Sequence, residues 1–454
     1  MTRDSPSLPS ARPPTPDPVA PQAESAADFR PQLSDSATAR AAAVGPATPL
    51  ARETSGLSAL GPFASAAFVY LWIGSVITMS GQFMQQVAQG WLVYELTGSS
   101  TWLGIVSFAR GVPMLVLALP GGVLIDRFDR RRLLIISQGL AAVVAVILAA
   151  LIASGLVQPW HILVTAFVSG SLMVLIFPTR QALVPATVER RQIGPAVALS
   201  SAGQNAGRVL GPSLAGLLIS WLGVAACFFA QAGGFVAALL CTAQLKPQPA
   251  AGHIRSSSAV ENLLDGLRYI RRDPTVFALM GLAAVPAFLA MPYQQLLPVF
   301  AGDILHAGPG GLGMLMAASG VGSLLGSIGV ALLPTRRQGV MLFGSLAAFG
   351  GLLAAFSFSS WLPLSVGIMA LMGVAQSFYM ATNNTLLHLA APDELRGRVM
   401  SAYMTTWGLM PLGSLPQGAL ADLFGAPVVV AGAGALCFAF TLLLATRYPA
   451  LRRL

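Results

Sequence analysis

Residues 122–132 read Gly-Val-Leu-Ile-Asp-Arg-Phe-Asp-Arg-Arg-Arg, a charged run that separates two long apolar stretches of the chain. Four of the last six residues in this run are arginines, and Asp126 and Asp129 lie among them. In membrane proteins, basic residues concentrate in the loops that stay on the cytoplasmic side. The run therefore predicts a cytoplasmic loop between two membrane-spanning helices, spans 2 and 3.

The other basic residues extend this pattern along the whole chain. All but two of the 26 Lys and Arg residues fall in the N-terminal tail, in every second loop or at the C-terminus, and the alternate loops hold none. Arg180, Arg190 and Arg191 are assigned in this way to the loop after span 4. The alternation predicts twelve spans with both termini in the cytoplasm, in the cytoplasmic (inner) membrane of a bacterium.

The composition excludes several classes of protein. The chain is 55% hydrophobic and 9% charged, which no soluble globular domain matches. The net charge of +9 comes from residues that flank spans, so it indicates membrane topology and no nucleic-acid partner. The three cysteines fall inside apolar spans, so we expect neither a disulfide nor a metal site. No catalytic motif of a soluble enzyme occurs, and we expect no enzymatic activity and no cofactor.

The chain divides into five predicted segments. They are a disordered cytoplasmic tail at 1–60, a six-helix bundle at 61–244, a cytoplasmic linker at 245–273, a second six-helix bundle at 274–446 and a cytoplasmic C-terminus at 447–454. The tail is rich in Pro, Ala and Ser and lacks an apolar period. In the linker, Leu263, Leu264, Leu267 and Ile270 share one helical face, which predicts a short helix on the inner membrane surface.

The two bundles share a glycine pattern. Gly211, Gly216 and Gly223 in span 5 recur 202 residues later as Gly413, Gly418 and Gly425 in span 11. We expect span 7 at 274–301 and span 11 at 396–422. Since each half has six spans, equivalent spans run in the same direction. The pattern predicts an all-α membrane protein of 12 transmembrane helices in two pseudo-symmetric bundles, with a site at the midplane between them.

The run at 122–132 resembles the loop 2–3 signature of the major facilitator superfamily, G-x-x-x-D-R-x-G-R-R, except that Asp129 replaces the second glycine. The resemblance covers roughly residues 60–450. A small residue lets helices approach, and a carboxylate at a helix end can pair with basic residues or with a helix N-terminus. We therefore expect this loop to latch the two halves together on the cytoplasmic side. The residues assigned to this gating role are Gly122, Asp126, Arg127, Arg130 and Arg131.

Span 5 carries a second signature. Gly207, Gly211, Pro212 and Gly216 fit G-x-x-x-G-P-x-x-x-G, which resembles the antiporter motif of exporters in this superfamily. The glycines form a smooth stripe for close helix packing, and Pro212 allows a bend. The resemblance implies export by antiport, driven by an ion gradient, most simply of protons.

Two further runs, Trp91–Gly98 and Pro178–Pro185, resemble the bacterial branch that contains macrolide efflux pumps and enterobactin-type siderophore exporters. This resemblance implies a monomer with a small-molecule substrate, and periplasmic or outer-membrane export components are candidate partners. Span 4 departs from the pattern of many drug–proton antiporters, which carry an arginine at mid-span. Residues 160–177 contain only His161 as a titratable group.

Polar side chains inside the spans form the predicted substrate path. Lipid cannot satisfy buried amides, so they face other helices or water. Span 1 places four glutamines at i, i+3, i+4 and i+7 on one face. For any single amide, helix–helix hydrogen bonding is the alternative. The predicted substrate-binding residues are Gln82, Gln85, Gln86, Gln89, Arg110, Asn205, Arg208, Gln294, Gln295, Asn383 and Asn384.

Arg110 and Arg208 are the two basic residues that fall within spans, where a charge is costly and seldom idle. No Asp or Glu occurs at mid-span. The two arginines either bond to backbone carbonyls and amides or form an electropositive pocket for an anionic or oxygen-rich substrate. Proton coupling is assigned to Glu95, Asp126 or Asp303, with His161 as a further candidate.

Together these features predict a secondary active exporter that moves a small amphipathic, anionic, siderophore-like metabolite by alternating access. A multidrug or macrolide efflux pump is the first alternative. An importer of the same fold is a second, against which the span 5 motif argues. A membrane sensor or scaffold that acts through the N-terminal tail without transport is an alternative of another class.

Overall fold

The computed structural model describes residues 60–247, 266, 268–332 and 337–453. The predicted tail, apart from Leu60, lies outside the described residues, as do Leu263, Leu264 and Leu267 of the predicted linker helix. Within the described part the secondary structure is helical throughout, with no strand. The predicted all-α class is confirmed.

Six helices form the N-terminal half, and each of them is one span. They are α1 (Ala66–Thr97), α2 (Ser100–Arg127), α3 (Arg130–Ala153), α4 (Pro159–Leu183), α5 (Ile193–Leu222) and α6 (Val224–Ala243). The C-terminal half contains α7 (Pro274–Leu289), α8 (Tyr293–Val299), α9 (Gly308–Leu332), α10 (Gln338–Ser357), α11 (Leu362–Ala390), α12 (Arg396–Thr406), α13 (Leu409–Phe424) and α14 (Ala426–Arg447).

Ten segments of the described chain are long and apolar enough to cross a membrane. The two crossings that complete twelve are α5, whose hydropathy is lowered by Gln204, Asn205 and Arg208, and the pair α12–α13, each too short alone. Many apolar side chains on the outer helix surfaces are exposed, as expected where lipid is the solvent.

Spans 7 and 11, predicted at 274–301 and 396–422, are each divided into two helices. Span 7 consists of α7 and α8, separated by Ala290–Pro292 and followed by a π-helical turn at Phe300–Ile304. Pro292 has no backbone N–H to continue the helical ladder. Span 11 breaks at Trp407 and Gly408, between α12 and α13. Each break divides its span into two short helices that can contact different neighbours.

The repeat between the halves is visible in equivalent glycine contacts. A Cβ atom at Gly211 would lie 2.5 Å from the Ser80 carbonyl oxygen of α1, so α5 packs directly on the α1 backbone. Gly413 packs in the same way on the Phe288 carbonyl of α7. Gly223 and Gly425 both have positive φ, +81° and +87°, in the turns before α6 and α14.

The second glycine of each repeat joins the halves to each other. A Cβ at Gly216 would lie 3.3 Å from the Gly313 Cα atom of α9, and one at Gly418 would lie 2.5 Å from the Ser100 carbonyl oxygen of α2. The halves therefore meet along two symmetric seams, α5 with α9 and α2 with α13. Close backbone approach at small residues is the usual basis of helix association in membranes.

The two ends of the bundle differ in how closely the halves meet. We call the end where α2 finishes at Arg127 the basic face, and the end where α1 finishes at Thr97 the opposite face. α8 and α13, near the opposite face, pack against helices of the N-terminal half. α7 and α12, near the basic face, pack mainly within their own half. The structure is closed at the opposite face and parted at the basic face.

Candidate functional site: interior cations and the two gates

Arg110 lies near the middle of α2, ten residues from Ser100 and thus about 15 Å along the helix. Its backbone carbonyl packs against Gly170 of α4, which fixes its position. The side chain is half-buried, and within the described part of the chain its guanidinium has neither a hydrogen bond nor an ion pair. A cation at this depth without a protein partner favours the electropositive-pocket interpretation of Arg110.

Arg208 lies where the halves join. Its guanidinium carbon is 5.6 Å from the centre of the Phe83 ring in α1, which is a cation–π contact. Across the seam its backbone carbonyl packs 3.0 Å from a Cβ placed at Gly320 of α9. Arg208 therefore combines a packing role with a position between the two halves.

The four glutamines of span 1 do not act as one stripe. Gln85 is buried, accepts a 2.8 Å hydrogen bond from Gln231 of α6 and donates to Ser169 of α4 at 3.4 Å. Gln89 is also buried and donates to the Ile162 carbonyl at 3.4 Å. These contacts match the helix–helix alternative and not the predicted substrate-binding role of the two residues. Gln82 and Gln86 are half-buried and stay candidates for the substrate path.

The other amides divide in a similar way. Gln294 and Gln295 on α8 and Asn384 on α11 are half-buried, as is Asn205 on α5. Asn383 is 0% exposed and packs beside Tyr403 within the C-terminal half, so it does not line a path between the halves in this state.

Arg180 is the functional candidate that the sequence pattern missed. The loop assignment for this residue is wrong, because α4 continues through Pro178 to Leu183 and carries Arg180 inside it. The side chain is only 6% exposed, and its Nη2 donates a 2.9 Å hydrogen bond to the Thr78 Oγ1 of α1. Its Nη1 is buried without a hydrogen-bond partner. The run Pro178–Pro185 was the signal that could have marked this position.

The opposite face is held by Asp422, at the end of α13. Its carboxylate accepts hydrogen bonds from the Ser99 Oγ at 2.6 Å, the Ser100 N–H at 2.6 Å and the Thr101 N–H at 3.0 Å. These groups form the N-terminus of α2, whose unpaired N–H groups and helix dipole favour an anion. A carboxylate of one half thus caps a helix of the other half.

A second contact lies beside the first. The Tyr94 hydroxyl near the end of α1 donates a short hydrogen bond to Asp303, which follows α8. We call Tyr94, Ser99, Asp303 and Asp422 the opposite-face latch. Of these four residues only Asp303 was singled out from the sequence, as a coupling candidate. Glu95, which follows Tyr94 in the sequence, is exposed and has no partner in the described structure.

The predicted loop at 122–132 is mostly helical, because α2 continues to Arg127 and α3 begins at Arg130, and this segment is unlatched in the structure. A Cβ at Gly122 would meet nothing within 4 Å, and Asp126 is exposed and unpaired among the described residues. Asp129, the departure from the superfamily signature, caps α3 by accepting the Arg132 N–H at 2.8 Å. The gating role of Gly122 and Asp126 stays a prediction, and it requires a different state in which the basic face closes.

The neighbouring arginines of this loop hold helix ends within the N-terminal half. Arg130 Nη1 donates to the Ala182 carbonyl of α4 at 3.5 Å, and Arg131 Nη2 donates to the Ala243 carbonyl of α6 at 2.6 Å. Cations at helix C-termini stabilise the exposed carbonyls there. Arg127 is exposed.

The span 5 motif and His161 have structural contacts. Gly207 packs on α1, where a Cβ would lie 2.9 Å from the Ser80 nitrogen, and the Pro212 carbonyl faces Gly313 of α9. His161 accepts a 3.0 Å hydrogen bond from the Gln158 N–H and so caps the start of α4. Among the described residues no three His, Cys, Asp or Glu side chains are placed to hold a metal ion.

Comparison with known proteins assigns the chain to a family. A family model described as transmembrane secretion effector matches residues 57–453. The chain is 29% identical to the multidrug efflux pump Tap of Mycolicibacterium fortuitum, over 80% of this chain and 90% of that protein. It is 27% identical to the staphyloferrin A transporter of Staphylococcus aureus, over 78% and 90%. It is 23% identical to macrolide efflux protein A of Streptococcus pyogenes, over 79% and 90%.

Solved structures share the fold at low sequence identity. The nucleoside transporter NupG superposes with a TM-score of 0.65 and 15% identity, covering 86% of this chain and 99% of that one. A bacterial homologue of the human lysosomal transporter Spinster, in an inward-facing and unoccupied conformation, gives a TM-score of 0.66 at 14% identity, covering 86% and 97%.

Proposed function

The chain belongs to the transmembrane secretion effector family of the major facilitator superfamily, and we propose that it exports a small anionic, siderophore-like metabolite by antiport with protons. That it is a multi-pass membrane transporter of the efflux type, and not an enzyme, follows from the family and the fold. The anionic substrate rests on one observation. Arg110 lies at mid-membrane depth without a partner among the described residues, and the acids of the neighbouring helices, Glu95, Asp126 and Asp422, all lie at span ends.

The test of the anionic substrate compares charge classes. In everted membrane vesicles, Arg110→Ala should lower export of anionic chelators by at least tenfold, because the cation that binds them is lost. A tenfold loss corresponds to about 1.4 kcal/mol of binding free energy. Export of cationic dyes should stay within about twofold of the parent. Arg110→Lys, which keeps the charge, should restore part of the anion flux. Equal loss for both substrate classes would contradict the proposal and point to a packing role for Arg110.

The substrate itself is found by comparing strains. Mass spectrometry of medium and cell extract from a deletion strain and its complemented parent, grown under iron limitation, should show a chelator retained inside the deletion strain. An unchanged chelator profile would favour the second candidate, a multidrug or macrolide pump. The similarity to Tap and to macrolide efflux protein A supports this candidate. In that case several cationic drugs should become more toxic when the gene is deleted.

We propose that the basic face is cytoplasmic and that the structure is the state that accepts substrate from the cytoplasm. The positive-inside rule supports this orientation, and the parted basic face supports this state. Alkaline phosphatase, a reporter that is active only outside the cytoplasm, should then be inactive when fused after Leu454. The same reporter should be active when fused after Gly155, at the opposite face. The reverse pattern would overturn the orientation. Removal of residues 1–58 should leave flux intact, and loss of flux would favour the sensor alternative.

Proton coupling is proposed to act at Asp303. Among the three predicted coupling candidates, only Asp303 takes part in a contact between the halves. The ionised carboxylate accepts the Tyr94 hydroxyl, so protonation from the outside weakens that bond and favours opening of the opposite face. In proteoliposomes, an inward proton gradient should accelerate export by the parent, and the acceleration should be lost in Asp303→Asn. Flux in the parent that ignores the gradient would exclude antiport with protons.

A further inference from the structure

Arg180 carries a buried charge that the protein does not neutralise. The guanidinium donates from Nη2 to the neutral Thr78 hydroxyl, while Nη1 is buried and unpaired. Within the described part of the chain no carboxylate forms an ion pair with it. A cation removed from water is strongly destabilising unless an opposite charge and full hydrogen bonding compensate it. A group that is not part of the described chain can supply the missing charge.

A cavity beside Arg180 supplies the place for such a group. It lies between α1, α4 and α5, with about 290 Å³ of empty space that includes part of its opening to solvent. The polar side chains that line it are Ser75, Arg180, Gln181, Ser200 and Gln204. Each of them can donate a hydrogen bond, and none is acidic. The enclosed part has room for one water-sized group, so an anion would place one oxygen there and keep the rest of its acidic group in the opening.

We propose that this cavity is an oxyanion site, in which a carboxylate-type group pairs with Arg180 and accepts hydrogen bonds from the hydroxyl and amide groups around it. A planar guanidinium is well suited to a carboxylate, because its N–H donors match the two oxygens. The cavity is too small for a whole chelator or macrolide. It fits one acidic group, supplied either by the exported molecule or by a small free anion.

The depth of Arg180 suggests its place in transport. It lies three residues before α4 ends at the basic face, about 5 Å along the helix, whereas Arg110 is at mid-span. An acidic substrate that enters from the basic face therefore meets Arg180 before Arg110. This second step rests on the proposed export function, but the oxyanion site itself does not.

The site is tested by binding to the full-length chain, purified in detergent. Sodium formate is the probe, and formamide at the same concentration and matched ionic strength is the reference, because formamide has the shape of formate without its charge. Formate should raise the unfolding temperature of the parent and of Arg110→Gln above the formamide value. It should have no such effect on Arg180→Gln. No formate effect in the parent, as for a cavity that holds only water, would overturn the site, and so would an unchanged effect in Arg180→Gln.

A second pair of variants keeps the test decisive if Arg180→Gln fails to fold. Ser200 is 6% exposed and lines the cavity, so Ser200→Val fills the space with apolar atoms while leaving Arg180 in place. It should abolish the formate effect. Thr78→Val removes the hydroxyl partner of Arg180 but not the cavity, and should keep the effect. A formate response that survives Ser200→Val would show that the anion binds elsewhere.

The source of the acidic group is decided separately. If the exported molecule supplies it, Arg180→Gln should raise the substrate concentration for half-maximal export at least tenfold, and esterifying the acid of the substrate should remove the difference between parent and variant. Unchanged export by Arg180→Gln, with the formate effect present in the parent, would overturn the substrate as the source and leave a free anion. Failure to find any exported anion would refute the proposed function without touching the formate result.

Discussion

The hydrogen bonds of Asp422 should determine the fraction of molecules that are closed at the opposite face. The carboxylate of α13 accepts three hydrogen bonds from the start of α2, and these bonds exist only while the two halves meet there. Since Asp422 is exposed, each bond is taken at the low end of its usual range, about 0.5–1 kcal/mol. Asp422→Ala should then destabilise the closed state by about 2 kcal/mol, or roughly 30-fold in the ratio of closed to open molecules. Asp422→Asn keeps one acceptor oxygen and should shift the ratio about fivefold.

Distances between spin labels measure this ratio directly. Leu156 and Phe358 are exposed at the opposite face, one in each half and away from the latch. Cys227, Cys241 and Cys437 are unpaired, so all three can be replaced before labelling. In the parent, the distance distribution between the labels should have one dominant short population. In Asp422→Ala, a longer population should become major.

Asp273→Ala is the matched control. Asp273 caps α7 by accepting the Thr275 N–H at 2.8 Å and the Val276 N–H at 3.1 Å, and both partners belong to its own half. Its loss should lower thermal stability without changing the distance between the labels. If Asp422→Ala folds normally and gives the distance distribution of the parent, the reasoning that these bonds hold the opposite face is refuted.

Three further outcomes follow from the same contacts. Gly207→Leu should lower stability by about 1–3 kcal/mol in detergent unfolding, because a Cβ there would lie 2.9 Å from an α1 backbone nitrogen; Gly233→Leu, which meets open space, should not. Tyr94→Phe removes one bond of the latch and should populate the longer label distance less than Asp422→Ala does. Asp126→Asn should leave the label distances and the substrate affinity unchanged, because Asp126 is unpaired among the described residues in this state. It should nevertheless lower the turnover rate of export. A turnover rate equal to that of the parent would show that Asp126 has no gating role.

The fold was largely predictable because its signals are local or periodic. Hydropathy and the alternation of basic loops depend on single spans, and the glycine repeat depends only on spacing within spans 5 and 11. The breaks in spans 7 and 11 were missed, although Pro292 and Gly408 stand at them. Proline and glycine occur in many membrane helices that stay continuous, since neighbouring groups satisfy the freed backbone atoms. Only the packing decides which of them interrupts a span.

The site was less predictable because helical spacing assigns a face but not a neighbour. Gln85 and Gln89 share the predicted stripe with Gln82 and Gln86, yet the first pair meets α4 and α6 of its own bundle. The latch joins residues 209 and 323 positions apart in sequence, which no local pattern reports. Arg180 was misassigned because a basic residue near a span end is usually a loop residue. Its burial depends on Thr78 and the turn of helix after Pro178.

The separation of charges gives the proposed coupling a direction. In the described structure the interior holds Arg110, Arg180 and Arg208, while the acids of the opposite face include Asp303 and Asp422. An anion that leaves through this face must pass two carboxylates, and those lose their hydrogen-bond partners when the latch opens. Like charges at close range repel, most strongly where water is scarce. Under the proposed coupling, a proton bound to Asp303 from the outside lessens this repulsion and at the same time weakens the bond of Asp303 to Tyr94. A protonated latch therefore opens more readily and lets an anion pass, which couples inward protons to outward anions and would give a cationic substrate no such advantage.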